Sequence, residues 1–366
     1  MLLIFTVIFV ALLFTYTNGF HDTANSIATV VGTKVLTPRQ AILLAATTNL
    51  IGAFFGAAVA KTISSGLVDS QFISSGVLVC ALTGSIVWNL LTWYFGLPSS
   101  SSHALVGGLC GAAYASSHGQ LASIIWVKPP PMGQHWWHGA GLLYKVVIPM
   151  IISPVTGFVV GLTFMALLYA LLRHWKPVTV NRVFGRLQLL SSGYMGFSHG
   201  MNDATKCMGI ITLALVAGTK THLFDSFPDW LSFLSVAESA DPKNQVIPKW
   251  VTAICALTMG AGTAAGGWRI IKTLGQKMVK LQPVHGFAAE TTGATVLAVA
   301  ASFGMPVSTT HAVTTSIMGV GCAKRFSALK LSVVERIIWA WVLTLPVTGG
   351  IGYLLVRASQ AAGWLP

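Results

Sequence analysis

Charge is what this sequence has least of. Only 8% of its 366 residues are charged and 54% are hydrophobic, whereas a soluble domain carries about 25% charged residues. The polar helix faces that a large soluble core requires are missing too. Acids are scarcest, with 9 Asp and Glu against 22 Lys and Arg, a net +13. That excess does not point to nucleic acid, because the basic residues sit in short loops between apolar runs, the positive-inside pattern of a membrane protein. The five cysteines fall in apolar segments without CxxC spacing, so neither a disulfide framework nor a cysteine metal site is indicated. No GxSxG, P-loop or HExxH signature occurs, and no paired carboxylates mark a soluble region, so the chain does not read as an enzyme. The start, Met1-Leu2-Leu3-Ile4, lacks a basic n-region and a small-residue cleavage site. It reads as a retained membrane segment rather than a cleaved signal.

What is present is a succession of apolar stretches near the length of a membrane span. Ten are expected, at about 1–31, 40–60, 71–95, 98–115, 143–172, 187–218, 250–267, 284–303, 305–322 and 333–357. The fold class that follows is an all-α polytopic membrane protein surrounded by lipid. The long loop 116–142 carries Trp126, His118, His135, Trp136, Trp137 and His138, which reads as an interfacial aromatic belt.

The chain also repeats itself. Gly19-Phe20-His21-Asp22 is echoed by Gly200-Met201-Asn202-Asp203, and Gly52-Ala53 by Gly260-Ala261. Gly96-Leu97-Pro98-Ser99-Ser100-Ser101-Ser102-His103 is echoed by Gly304-Met305-Pro306-Val307-Ser308-Thr309-Thr310-His311, and Pro154-Val155-Thr156-Gly157 by Pro346-Val347-Thr348-Gly349. Four matches in one order indicate a duplication. The repeats are 1–172 and 187–366, joined by a basic cytoplasmic linker at 173–186, with an outer loop at 219–249. Five segments per half make the second half enter the membrane from the opposite side, an inverted-topology repeat. The loops expected inside, 32–39, 173–186, 268–283 and 323–332, carry basic residues and no acid, while 219–249 holds Asp225, Asp229, Glu238 and Asp241. Both termini are therefore expected outside. Segments 71–95 with 98–115, and 284–303 with 305–322, pair as hairpins, either re-entrant or crossing; the orientation is the same for both.

Two constellations carry chemistry. An aspartate at mid-bilayer costs about 2.5–3.5 kcal/mol on insertion scales, and here it occurs twice in one setting. The stretches 18–25 and 199–206 are expected to break their helices, with Gly19 and Gly200 permitting the break and close helix approach. Beside such a break Asp22 and Asp203 can bind a cation or a proton, with His21, Asn25 and Asn202 nearby. The second constellation is Ser99, Ser100, Ser101 and Ser102 with Ser308, Thr309 and Thr310. Each cluster follows a proline suited to a helix start. Clustered neutral hydroxyls and free helical N–H groups suit an oxyanion; N-capping accounts for one hydroxyl per cluster, not for all of them. His103 and His311 are candidates for proton carriers, but read better as residues that pack and hydrogen-bond to a neighbouring loop. Glu290 stands in an apolar segment where the first half has Leu82. It reads as a coupling-ion or proton site, or as a hydrogen-bonded link to the facing half. Lys206 stands where the first copy has Asn25, placed for a salt bridge with Asp203.

Through these paired motifs the chain resembles the inorganic phosphate transporter (PiT) family of secondary carriers, over nearly its whole length. The Gly19–Asn25 form is similar to that of the bacterial low-affinity Pit carriers. The resemblance implies phosphate uptake across a bacterial inner membrane, an inverted-repeat fold, cation coupling, and transport roles for Asp22, Asp203 and Glu290. His21 and Lys206 depart from the symmetric Asn-Asp-x-x-Asn pattern of the sodium-coupled branch, which argues against two symmetric sodium sites. The 219–249 loop is short beside the central insertion of many relatives, so no regulatory domain is expected there. The expected function is proton symport of inorganic phosphate, with Mg2+ or another divalent ion as a candidate co-substrate, no cofactor, and a second copy of the chain as a candidate partner in a homodimer. Phosphate is expected between the two Ser/Thr motifs, with one half rocking against the other. A sodium-coupled carrier, a carrier of sulfate or another oxyanion, and an anion channel are the alternatives.

Overall fold

A computed structural model describes residues 2–65, 67–130, 135, 139–239 and 244–365. Pro131, Trp136, Trp137, His138 and Asp241 lie outside the described residues. Among the described residues, ten helical segments appear where the apolar runs predict them. The first half holds α1 (Leu2–Gly32), α2 (Pro38–Ala53) with α3 (Ala57–Ser65), α4 (Ser75–Phe95), α5 (Ser101–Ser116) and α6 (Ile148–Leu172). The second holds α7 (Pro177–Lys220), α8 (Lys249–Ala265) with α9 (Trp268–Lys272), α10 (Pro283–Ser302), α11 (Thr309–Cys322) and α12 (Leu331–Ala361). Among the described residues, α1, α4, α6 and α12 are long and apolar enough to cross a membrane, and the bent pair α2–α3 is a fifth candidate. The cysteines are free.

The expected breaks at the aspartates are absent: α1 and α7 run unbroken through 18–25 and 199–206. A helix satisfies its own backbone whatever its side chains; Asp22, Asn25 and Asn202 find partners outside their own helices, while the Asn18 amide has none among the described residues. The interruptions fall one segment later in each half. The chain turns by 64° between α2 and α3, and Gly266, at φ 71°, ends α8 before α9. The motif glycines serve close approach alone. A Cβ on Gly19 would lie 2.8 Å from Met259 O and 2.9 Å from Gly262 Cα of α8, and one on Gly200 would collide with the backbone of Asn49 in α2.

The halves interlock. α1 packs on α8 and α7 on α2; α5 packs on α12 and α11 on α6. Gly96 and Gly304, at φ 65° and 62°, turn the tips of the α4–α5 and α10–α11 hairpins. Each tip is tied to the other half: Thr273 Oγ1 donates to Gly96 O at 2.9 Å, and Thr62 Oγ1 to Gly304 O at 2.7 Å. The tips also meet each other. Ser102 donates to Val307 O at 3.2 Å, Thr310 to Ser99 O at 2.8 Å, and the His103 and His311 rings stand 4.8 Å apart.

Two apolar cores lie above and below this meeting point. One gathers Ile4–Phe14 of α1, Val77–Ile86 of α4, Leu105–Ala115 of α5 and Ala204–Val216 of α7. The other gathers Ala24–Val30, Phe184, Met195, α10 and α11. Buried polar residues of 15–23, 198–206, 99–102 and 308–311 fill the layer between them.

Candidate functional site

The polar layer brings together the two aspartates and the two hydroxyl clusters. α5 and α11 begin there, capped by Ser100 and Ser308, whose hydroxyls accept from His103 N at 3.2 Å and His311 N at 3.1 Å. Pro98 and Pro306 are not first helical residues as the sequence suggests; each precedes its cap by two positions. Ser101, Ser102, Thr309 and Thr310 follow the caps into the first turn, where free N–H groups and the helix dipole favour an anion; Ser99 precedes its cap.

Asp22 receives a hydrogen bond from Ser101 Oγ at 2.7 Å, and His21 Nδ1 lies 2.8 Å from its other oxygen. His21 Nε2 continues to Thr92 Oγ1 at 3.1 Å, which in turn accepts from Ser99 at 2.8 Å. Asp203 lies 2.5 Å from Lys206 Nζ and accepts from Thr309 Oγ1 at 3.3 Å. His199 Nε2 stands 3.2 Å from Asp203 Oδ2, near but outside hydrogen-bond geometry. Asn25 donates to Thr309 and Thr310 at 3.3 and 3.0 Å, and Asn202 to Val307 O at 2.9 Å. Asp22, His199 and Asp203 each offer a ligand atom within 4.8 Å of the others, a set able to hold a metal ion. Asp22 is 2% exposed and Asp203 1%, so neither carboxylate reaches the surface.

One expectation needs correction. The hydroxyl clusters are not surrounded by neutral groups alone, because Lys206 Nζ donates to Ser102 Oγ. The salt bridge of Lys206 with Asp203 is as expected. His103 and His311 pack on each other, and His311 also on the Trp341 ring at 3.9 Å between centroids.

Glu290 stands apart from the aspartates, 1% exposed. It accepts from Thr29 at 2.6 Å, Gln188 at 3.0 Å and Ser191 at 2.5 Å, so it does link α10 to the first half through α1. These three partners and Thr92 leave no signal in the sequence. His199 was not singled out either, although its place before Gly200, matching Asn18 before Gly19, could have pointed to it.

The model of the "Phosphate transporter family" matches residues 18–352. The chain belongs to the phosphate transporter family. It is 39% identical over 363 residues to the "Probable low-affinity inorganic phosphate transporter" of Bacillus subtilis, covering 97% of this chain and 98% of that one. A protein of the same description from Rhizobium meliloti is 40% identical over 352 residues, covering 96% and 95%. The solved structure titled "The sodium-dependent phosphate transporter" shares the fold, with a TM-score of 0.79 at 22% identity over 99% of this chain and 100% of that one. The family is one of transporters, not enzymes, and phosphate is its transported substrate. This member is accordingly a multi-pass integral membrane protein.

Proposed function

We propose that this transporter imports inorganic phosphate by proton symport, with phosphate carried alone or as a neutral complex with a divalent ion such as Mg2+. The observation that supports coupling is a shared donor. A serine or threonine hydroxyl has one proton to give. Ser101 gives its proton to Asp22, and Thr309 to Asp203. Phosphate between the hairpin tips needs the same donors. A proton or cation taken up by a carboxylate weakens its hold on the hydroxyl, which then turns to a phosphate oxygen. Loading of a carboxylate and loading of phosphate therefore favour each other, which is symport. The first-turn N–H groups of α5 and α11 add to the anion site. Glu290, held by neutral donors, is a third position where a proton can travel. The interlocked packing bears on the motion: α4–α5 with α12, and α10–α11 with α6, are bodies that mix both halves, so access alternates by hairpins shifting on α1, α2, α7 and α8, not by one sequence half rocking.

The test is labelled phosphate uptake into proteoliposomes under separately imposed proton and sodium gradients, with and without Mg2+. Uptake should follow the proton gradient, show counterflow exchange, and yield to unlabelled phosphate rather than sulfate. Uptake driven by sodium and indifferent to protons would transfer the coupling to sodium, and uptake without counterflow would make the protein a channel.

A further inference from the structure

The duplicated motif departs from its own symmetry at a charged position. Asn25 of the first copy is Lys206 of the second. Lys206 is among the largest fully buried side chains of the protein, 0% exposed. Its ammonium lies 2.5 Å from Asp203 Oδ1 and also donates to Ser102 of the opposing hairpin. Burying an ammonium is unfavourable unless it is paired and hydrogen-bonded, so this carboxylate and this hydroxyl fix where Nζ sits. Both are hard oxygen donors, the type that binds alkali and alkaline-earth cations. The ammonium thus rests in an oxygen-lined position beside the anion-binding hydroxyls, where a coupling cation would bind.

The first half lacks this arrangement. Asn25 is neutral and turns to Thr309 and Thr310, not to Asp22. Asp22 is met by His21 and Ser101. Two carboxylates and one ammonium leave one negative charge to be balanced. Resting on the symport reading above, we infer that Lys206 is a tethered cation: it permanently fills the cation position at Asp203, and only the Asp22 side exchanges a mobile cation. The carrier then moves one cation fewer per phosphate than a carrier with two open positions. Because the tether cannot leave with its charge, the second-half position keeps the same charge in inward- and outward-facing states.

Restoring the repeat by Lys206→Asn tests this. Cations per phosphate are measured in proteoliposomes from the imposed cation gradient that just balances a phosphate gradient. The variant should carry one cation more per phosphate than the unaltered protein, and its uptake should acquire a dependence on sodium or lithium at that position. Lys206→Arg, which keeps the charge, should retain the original count. Lys206→Gln, closer in length to lysine, should behave as Lys206→Asn. An unchanged count and an unchanged sodium response in the Asn and Gln variants would overturn the inference. Thermal unfolding of the purified proteins gives a readout independent of transport. Sodium should raise the Tm of Lys206→Asn and leave that of the unaltered protein in place; equal shifts in both would also overturn it. If the unaltered protein carries no phosphate at all, the symport reading fails, while the difference in sodium-dependent melting still reports on the tether.

Discussion

Asp22 is met by the imidazole of the preceding residue and by a serine of its own hairpin. Asp203 is met by an ammonium one turn along its helix, an imidazole one turn back, and a threonine of its own hairpin. The backbone around the two is alike: a long helix crossed at a glycine, a capped hairpin tip opposite, and a threonine from the other half on the tip carbonyl. Duplication has preserved the geometry and let the charge diverge. One carboxylate is paired with a fixed ammonium of the protein, and the other is met by an imidazole and a hydroxyl.

That contrast is sharpest in the aspartates themselves. Asp203→Asn leaves Lys206 buried without its counter-charge, which costs about 3–5 kcal/mol, so this variant should lose both phosphate uptake and thermal stability. Asp22→Asn should lose uptake and keep its Tm. Matching melting curves for the two would break the comparison. The next effect concerns the donors. Ser101→Ala and Thr309→Ala each remove a hydroxyl donor that phosphate needs, a hydrogen bond to a charged group being worth about 1.5–3 kcal/mol. Each should raise the KM for phosphate by roughly tenfold or more. Glu290→Gln keeps the shape and removes the charge. Its uptake should respond less to an imposed proton gradient while phosphate binding, followed by calorimetry, stays near that of the unaltered protein. The smallest effects belong to the shared frame. Gly19→Ala and Gly200→Ala each force a helix crossing apart and should cost about 1–3 kcal/mol in denaturation. A large inequality there would show that the frame has diverged as well.

The ten segments were legible because each is an apolar run ended by polar or turn residues, and α4, α5 and α10 begin and end within a few positions of where hydropathy puts them. The pairing of Asp22 with Asp203 and of the two Ser/Thr clusters was legible from the duplication. The polar stretches 18–25 and 199–206 do not interrupt α1 and α7, because side-chain polarity leaves the backbone hydrogen bonds intact. What interrupts a helix is backbone chemistry, and the sequence carried that signal at Gly56 and at Gly266-Gly267. Partners such as Thr92 for His21, or Gln188 and Ser191 for Glu290, could not be read. They depend on which faces of distant helices meet, and no spacing in the chain encodes that. The fixed charge on Ser102 was missed for the same reason: Lys206 is one turn from Asp203 in sequence, but its second contact crosses from one repeat to the other.

The interlocking of the halves also has a consequence for how the protein is made. α5 is complete once residue 116 has left the ribosome, yet the helix it packs on most extensively, α12, begins only at Leu331. Until then the first hairpin, with its serines and its face of small residues, must wait in the bilayer without its partner. Neither half can finish folding by itself, and the polar layer closes only when the last helix has been inserted. A chain stalled before α12 would leave α5 and its serines unpacked in the bilayer, which makes the final helix the step at which the nascent protein becomes either a carrier or a substrate for quality control.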